Sequence, residues 1–148
     1  GMYFGWRKIF PIADNDSLEL ITFDDDVMTV VAKSNNDVAN LLWGNNWRLP
    51  TNDEFEELKE KCTWVWTKML GQNGYKIIGP NGRCIFLPAA GRRNGSSLKY
   101  AGEYGRYWIS APYEDGDDYA YCLYFDSGSR SMSNYSRYYG HSVRSVLE

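Results

Sequence analysis

Chemistry in this 148-residue chain would have to come from one histidine, three cysteines and a few acidic runs. His141 has no cysteine or serine partner in a motif that would make it a general base, and a lone loop histidine reads as a surface residue. Cys62, Cys84 and Cys122 lack metal-ligand spacing, and their odd number permits at most one disulfide. Cys62 and Cys84 read as small apolar core residues. Nothing beside Cys122 argues for the lowered pKa that a nucleophilic thiol needs. The carboxylates of Asp24-Asp25-Asp26, and those of Asp115, Asp117 and Asp118, are the type that calcium uses, but acidic turns are ordinarily just solvated. Gly71-Gln72-Asn73-Gly74 is a turn and not a phosphate loop, because no Lys-Ser/Thr follows it. The expectation is a non-enzymatic protein with no catalytic residue, metal or cofactor.

Recognition is the stronger signal. Ten of the twelve tyrosines lie between residues 100 and 139, and residues 113–141 are built almost entirely from Tyr, Ser, Asp, Gly and Asn. No lysine follows Lys99 and no tryptophan follows Trp108. Tyrosine gives large amphipathic contact at low entropic cost, while Ser, Gly and Asn supply adaptable hydrogen bonds. Tyrosine also favours strands, so a plain hairpin region with polar turns has the same letters. A net charge of −3 and no basic run longer than Arg92-Arg93 argue against a nucleic-acid surface. No apolar run is long enough to span a membrane.

The length suits one domain with a sizeable core. Residues 17–23 (SLELITF) and 27–32 (VMTVVA) read as a hairpin around the acidic turn. Ser34-Asn35 can cap a short helix carrying Val38, Leu41 and Leu42 and ended by Gly44. Thr51 and Glu54 form a capping box for a second helix, with Pro50 sharpening its start and Phe55, Leu58 and Cys62 on its apolar stripe. Strands are expected at 64–69, 75–78, 84–88, 108–109, 119–125 and 143–147, with turns at 71–74 and 80–82 and a loop at 91–95. Short helices among many short strands make an α+β domain.

Six motifs in order carry a family resemblance: Trp47-Arg48-Leu49-Pro50-Thr51, Cys62-Thr63-Trp64, Asn73-Gly74-Tyr75, Phe86-Leu87-Pro88-Ala89-Ala90-Gly91, Gly105-Arg106-Tyr107-Trp108 and Gly140-His141-Ser142-Val143-Arg144. Together, from about Trp43 to the C-terminus, they resemble the Fibrobacter succinogenes major paralogous domain of gut Bacteroidetes proteins. That family is similar in turn to the formylglycine-generating-enzyme branch of the C-type lectin fold. The resemblance implies a C-type-lectin-like fold: paired terminal strands, two short helices, small antiparallel sheets and long loops, one sheet bearing a ligand-facing surface. The calcium- and sugar-binding motifs of true C-type lectins, and the paired thiols of the oxidase relatives, are missing.

The tail also resembles proteins diversified by retroelements, in which adenines of AAC codons are randomised. Such codons reach Tyr, Ser, Asp, His, Gly and Cys but not Trp, Lys, Met, Glu or Gln. In 121–126, alternation puts Tyr121, Leu123 and Phe125 toward the core and Cys122, Tyr124 and Asp126 outward. Arg137, Tyr138 and Gly140 read as framework. The expected recognition residues are Tyr113, Asp115, Asp117, Asp118, Tyr119, Cys122, Tyr124, Asp126, Ser129, Ser133, Asn134, Tyr135, Tyr139 and His141. The partner is a protein or a glycan, met at a cell surface, outside the cell or on a virion. The rival readings are a carbohydrate-binding adhesin, an enzyme of the formylglycine-generating fold built on Cys84 or Cys122, and a structural assembly module. Met2 reads as either a native start or a cut site, and residues 3–13 lack the apolar stretch of a secretory signal.

Overall fold

The computed structural model describes residues 2–6 and 30–148. The expected strand at 17–23 and its acidic turn lie outside them. Of the second expected strand only the end is described, and it is coil: Val31 is buried and donates its N–H to Ser110 O (2.9 Å).

The described architecture is mixed, with two short helices and small antiparallel sheets. In chain order the elements are α1 (Val38–Trp43), β1 (Trp47–Arg48), α2 (Asn52–Lys61), β2 (Thr63–Met69), β3 (Gln72–Ile78), β4 (Cys84–Pro88), β5 (Arg92–Asn94), β6 (Ser97–Lys99), β7 (Tyr104–Pro112), β8 (Tyr119–Asp126), β9 (Arg130–Ser136) and β10 (Val146–Leu147). The sheets are β1-β10, β2-β3-β4, β5-β6 and β7-β8-β9.

Helix α2 starts where its sequence says. Thr51 Oγ1 accepts from Glu54 N (3.2 Å), and Glu54 Oε2 accepts from Thr51 N (2.8 Å). Arg48 then grips the same carboxylate through both terminal nitrogens (2.8 and 2.7 Å). That bidentate bond is the main reason the Glu54 carboxyl is held at about 2. Helix α1 departs from expectation. Its cap is Asp37, not Ser34 or Asn35, and the buried Asp37 carboxylate also accepts from Lys33 N (2.8 Å) and Leu49 N (3.1 Å). The helix buries Val38 and Ala39, while Leu41 and Leu42 are exposed.

The turn expected at 71–74 is tighter. Leu70 (φ 48°) and Gly71 (φ 79°) form a two-residue hairpin turn with Met69 opposite Gln72. Asn73 and Gly74 belong to β3. A Cβ on Gly74 would meet Leu87 O at 2.3 Å, so this glycine serves close strand approach and not a turn. The expected loop at 91–95 contains β5, and β9 was not expected at all.

Sheet β7-β8-β9 is the middle layer. On one side Tyr107, Ile109, Leu123 and Phe125 pack on Phe55 of α2 and on Tyr75, Ile77 and Leu87 of the β2-β3-β4 sheet. Tyr75 meets Trp64, Trp66 and Phe125 edge-on, with centroids 5.2, 5.1 and 5.5 Å away. On the other side Trp108, Ala120 and Cys122 pack on Phe4, Trp6, Val31, Val38 and Leu49. The N-terminal segment is tied down there. Phe4 and His141 exchange backbone bonds (2.9 and 3.0 Å), Trp108 Nε1 donates to Phe4 O (2.6 Å), and Trp6 Nε1 donates to Ile109 O (2.7 Å). Each such core side chain contributes about 2 kcal/mol by burial.

Candidate binding face

Register decides which tail residues come together. Arg106 pairs with Tyr124 and Tyr124 with Ser131; Trp108 pairs with Cys122 and Cys122 with Ser133; Tyr104 pairs with Asp126 and Ala120 with Tyr135. Successive residues alternate faces, so all of these share one face of the sheet. The N-terminal segment covers that face at Trp108, Ala120 and Cys122. Beyond it the face is open, presenting Tyr104, Arg106, Tyr124, Ser131, Ser133 and Tyr135 in half-buried or exposed positions.

The open part is a lattice of tyrosines and arginines. The Arg106 guanidinium lies 4.0 Å from the Tyr135 centroid, 4.9 Å from Tyr124 and 5.5 Å from Tyr104. Arg92, from β5, lies 4.2 Å from Tyr139, 5.2 Å from Tyr135 and 5.8 Å from Tyr100. Its Nε donates to Tyr104 Oη (3.1 Å). Tyr100 holds a left-handed φ of 60°, unusual for an aromatic residue, which stacks its ring on Tyr104 at 5.1 Å. Each ring–cation contact contributes about 0.5–2 kcal/mol. Neither arginine pairs with a carboxylate among the described residues.

Two expected recognition residues are inside the protein. Cys122 is fully buried, 3.7 Å from Arg106 Nη1, and burial pushes its thiol up to about 11 despite that nearby cation. Alternation correctly opposed it to Leu123, but the opposing face is a second core at that point. His141 is also fully buried, stacked on Trp108 at 4.0 Å, and neither ring nitrogen has a hydrogen-bond partner. Burial first, and then the charges of Arg106 and Arg92, hold its pKa well below the ordinary histidine value. Asn134 pairs with Tyr121, so it lies on the face opposite Ser133 and Tyr135. Among the other cysteines, Cys62 is half-buried against the core, and Cys84 is exposed where a core residue was expected.

Asp126 is on the open side but serves the β8–β9 turn. Its Oδ1 accepts from Gly128 N and Ser129 N (both 2.9 Å) and Ser129 Oγ (3.1 Å), and its Oδ2 accepts from Tyr124 Oη (2.9 Å). The Gly128 N–H and then the Tyr124 hydroxyl hold its carboxyl below the usual range. Tyr113, Asp115, Asp117 and Asp118 of the β7–β8 turn, with Tyr119 at the start of β8, form a separate group. There Tyr113 stands edge-on to Tyr121 at 5.4 Å and Tyr138 Oη donates to Asp118 (3.3 Å). Arg137 acts as framework, as expected: it is buried under Trp6 at 4.4 Å and donates to Tyr119 O (2.8 Å).

Sequence reasoning missed Tyr100, Tyr104, Arg92 and Arg106. Alternation along Tyr104-Gly105-Arg106-Tyr107-Trp108 gives Arg106 the face of Tyr104 and Trp108, but only the register places it beside Tyr124. A concavity of about 660 Å³ lies elsewhere, lined by Tyr3, Gln72, Asn73, Pro88, Gly102 and Arg144 among others. Polar groups in its wall already bond one another: Tyr3 Oη to Ala90 O (2.7 Å), Tyr107 Oη to Pro88 O (2.8 Å) and Asn73 Nδ2 to Gly102 O (3.1 Å). The tyrosine–arginine face is the better candidate, because Tyr and Arg are residue types enriched at binding hot spots.

No curated protein and no solved structure matches the chain. Residues 68–146, more than half of the chain and all of the open sheet face, match the model of a family described as a domain of unknown function (DUF8237), and the chain belongs to that family.

Proposed function

We propose that this chain is a non-enzymatic ligand-binding domain of C-type-lectin-like fold, related to the Fibrobacter succinogenes major paralogous domain, that recognises a protein at a cell surface or outside the cell. The observation that carries the reading is the open half of the β7-β8-β9 face. A sheet buried on its far side holds Tyr104, Arg106, Tyr124, Ser131, Ser133 and Tyr135 in fixed register. Tyrosine and arginine are the residues that dominate protein-binding energetics. Support for a non-enzymatic role comes from the sealed, partnerless His141 and the buried Cys122 thiol, which do not form a nucleophile–base pair. Support for diversification comes from the faces. Tyr124, Asp126, Ser131, Ser133 and Tyr135 are all reachable from AAC and share one face, while Met132, which is not, packs with Leu123 and Phe125 on the other.

The test is a displayed peptide library and a glycan array, each screened with the native chain and with Tyr124→Ser/Tyr135→Ser. Peptide hits lost in the double variant support the proposal. Glycan hits lost in the same way replace it with the adhesin reading. Hits indifferent to both tyrosines, or no hits, overturn it. A neighbouring near-copy of the codons for residues 107–144, differing only at adenines and beside a reverse transcriptase gene, is the expected mark of diversification.

A further inference from the structure

We propose that Arg92 and Arg106 form a carboxylate-binding site on the tyrosine face, and that the ligand it takes is an acidic peptide segment. The inference rests on the reading of that face as a protein-binding surface. It names the chemistry the face selects.

Both guanidiniums lie against one ring, that of Tyr135, at 5.2 and 4.0 Å. Like charges gathered at one place repel, and structures ordinarily relieve this with a carboxylate. Here none is supplied among the described residues. The five ion pairs there use Lys33, Arg48, Lys59 and Lys61. The nearby Asp126 carboxylate is occupied by the turn and by Tyr124. Tyrosine rings hold the guanidiniums by their faces, which leaves N–H edges for another acceptor. Arg92 Nη1 and Arg106 Nε are buried without a hydrogen-bond partner, so the fold itself leaves both guanidiniums incompletely satisfied. A planar guanidinium fork matches a carboxylate, and the surrounding rings thin the water that would screen the contact. The site is a cationic island on a chain of net charge −3, which sets it apart from the acidic 114–118 turn.

The single histidine provides the readout, because His141 lies 5.3 Å from Tyr135 and its ring protons are the only imidazole signals of the chain. The folded protein would be titrated with an N-acetylated tetraglutamate peptide, its tetraglutamine counterpart and inorganic phosphate. The expected result is a saturable shift of the His141 signal with the glutamate peptide and none with the glutamine peptide. Arg92→Gln and Arg106→Gln should each weaken that binding about tenfold or more. Arg83→Gln, exposed beside the 80–82 turn and not among the face residues, should leave it unchanged. Arg106→Lys, which keeps a charge but lacks the fork, serves if Arg106→Gln fails to give a dispersed spectrum, and should also weaken binding. No saturable shift, equal binding of the glutamine peptide, or full affinity in the arginine variants overturns the site. Phosphate binding as tightly as the peptide overturns the carboxylate assignment. If library hits depend on Tyr124 and Tyr135 yet keep full affinity in Arg106→Gln, this inference fails while the face remains the binding surface.

Discussion

His141 should make the fold lose stability as pH falls from neutral, before any carboxylate titrates. In the unfolded chain the imidazole takes up a proton near pH 6.5. In the folded chain a protonated ring would be a buried charge with no acceptor, stacked on Trp108 and facing Arg106 and Arg92. The folded-state pKa is therefore depressed. Between the ordinary value and the folded one, the unfolded state binds more protons, so stability decreases with decreasing pH. Each pH unit in that window is worth about 1.4 kcal/mol, so moving from pH 7.5 to 5.5 should remove about 1.4 kcal/mol in all. At a urea slope of roughly 2 kcal/mol/M, the unfolding midpoint should drop by about 0.7 M. His141→Phe is the matched control. It keeps a ring on Trp108 and loses no hydrogen bond, since neither imidazole nitrogen makes one. Its midpoint should be nearly flat over the same range. The chain has one histidine, so no other side chain ordinarily titrates there. Equal wild-type midpoints at pH 7.5 and 5.5, or an undiminished slope in His141→Phe, would refute the reasoning.

Gly105→Ala should lower stability by about 3 kcal/mol, visible in a thermal melt, because a Cβ there would sit 2.2 Å from the Phe125 ring between two packed strands. Thr51→Ala removes the Oγ1 acceptor of the α2 capping box and should cost about 1 kcal/mol in urea unfolding. Thiol labelling of the native protein should modify Cys84 first. Cys122 should react only on unfolding, because it is buried and its thiol is pushed up to about 11. Rapid native labelling of Cys122 would contradict the second core.

What was legible in the sequence follows the range of the interactions. The start of α2 is local chemistry: Thr51, Glu54 and Pro50 lie within five residues, and the capping box forms as read. The α1 cap was misplaced because Asp37 is chosen by a distant demand, the buried N–H of Leu49, as well as by its own helix. Strand β9, with its run of Ser and Asn, has little strand propensity, and only pairing with β8 makes it a strand. Alternation gave Leu123 and Phe125 their core face from six residues of sequence. It did not show that Cys122 opposes a second core, because Phe4 and Trp6 arrive from more than a hundred residues away. The same limit hid Arg92 and Arg106, whose common environment is created by long-range register and not by spacing.

The boundary between covered and open sheet therefore decides what the tail can do. Cys122 and Tyr124 are two residues apart on the same face of β8, yet one is sealed by the N-terminal segment and the other stands among arginines in the open. Substitution at 122 changes core volume and carries the penalty of any packed position. At 124, 131 and 133 a new side chain meets solvent, other face residues or a ligand, and the Phe55–Tyr75–Leu123–Phe125 core lies behind the strand, out of reach. A rigid sheet with one buried side and one half-open side can thus vary its contact chemistry while its fold stays fixed. Tyr135 is the position where the two requirements meet. Its ring packs against the second core and also bridges both arginines. Changes there should alter stability and recognition together, whereas changes at Tyr124 should alter recognition with little effect on stability.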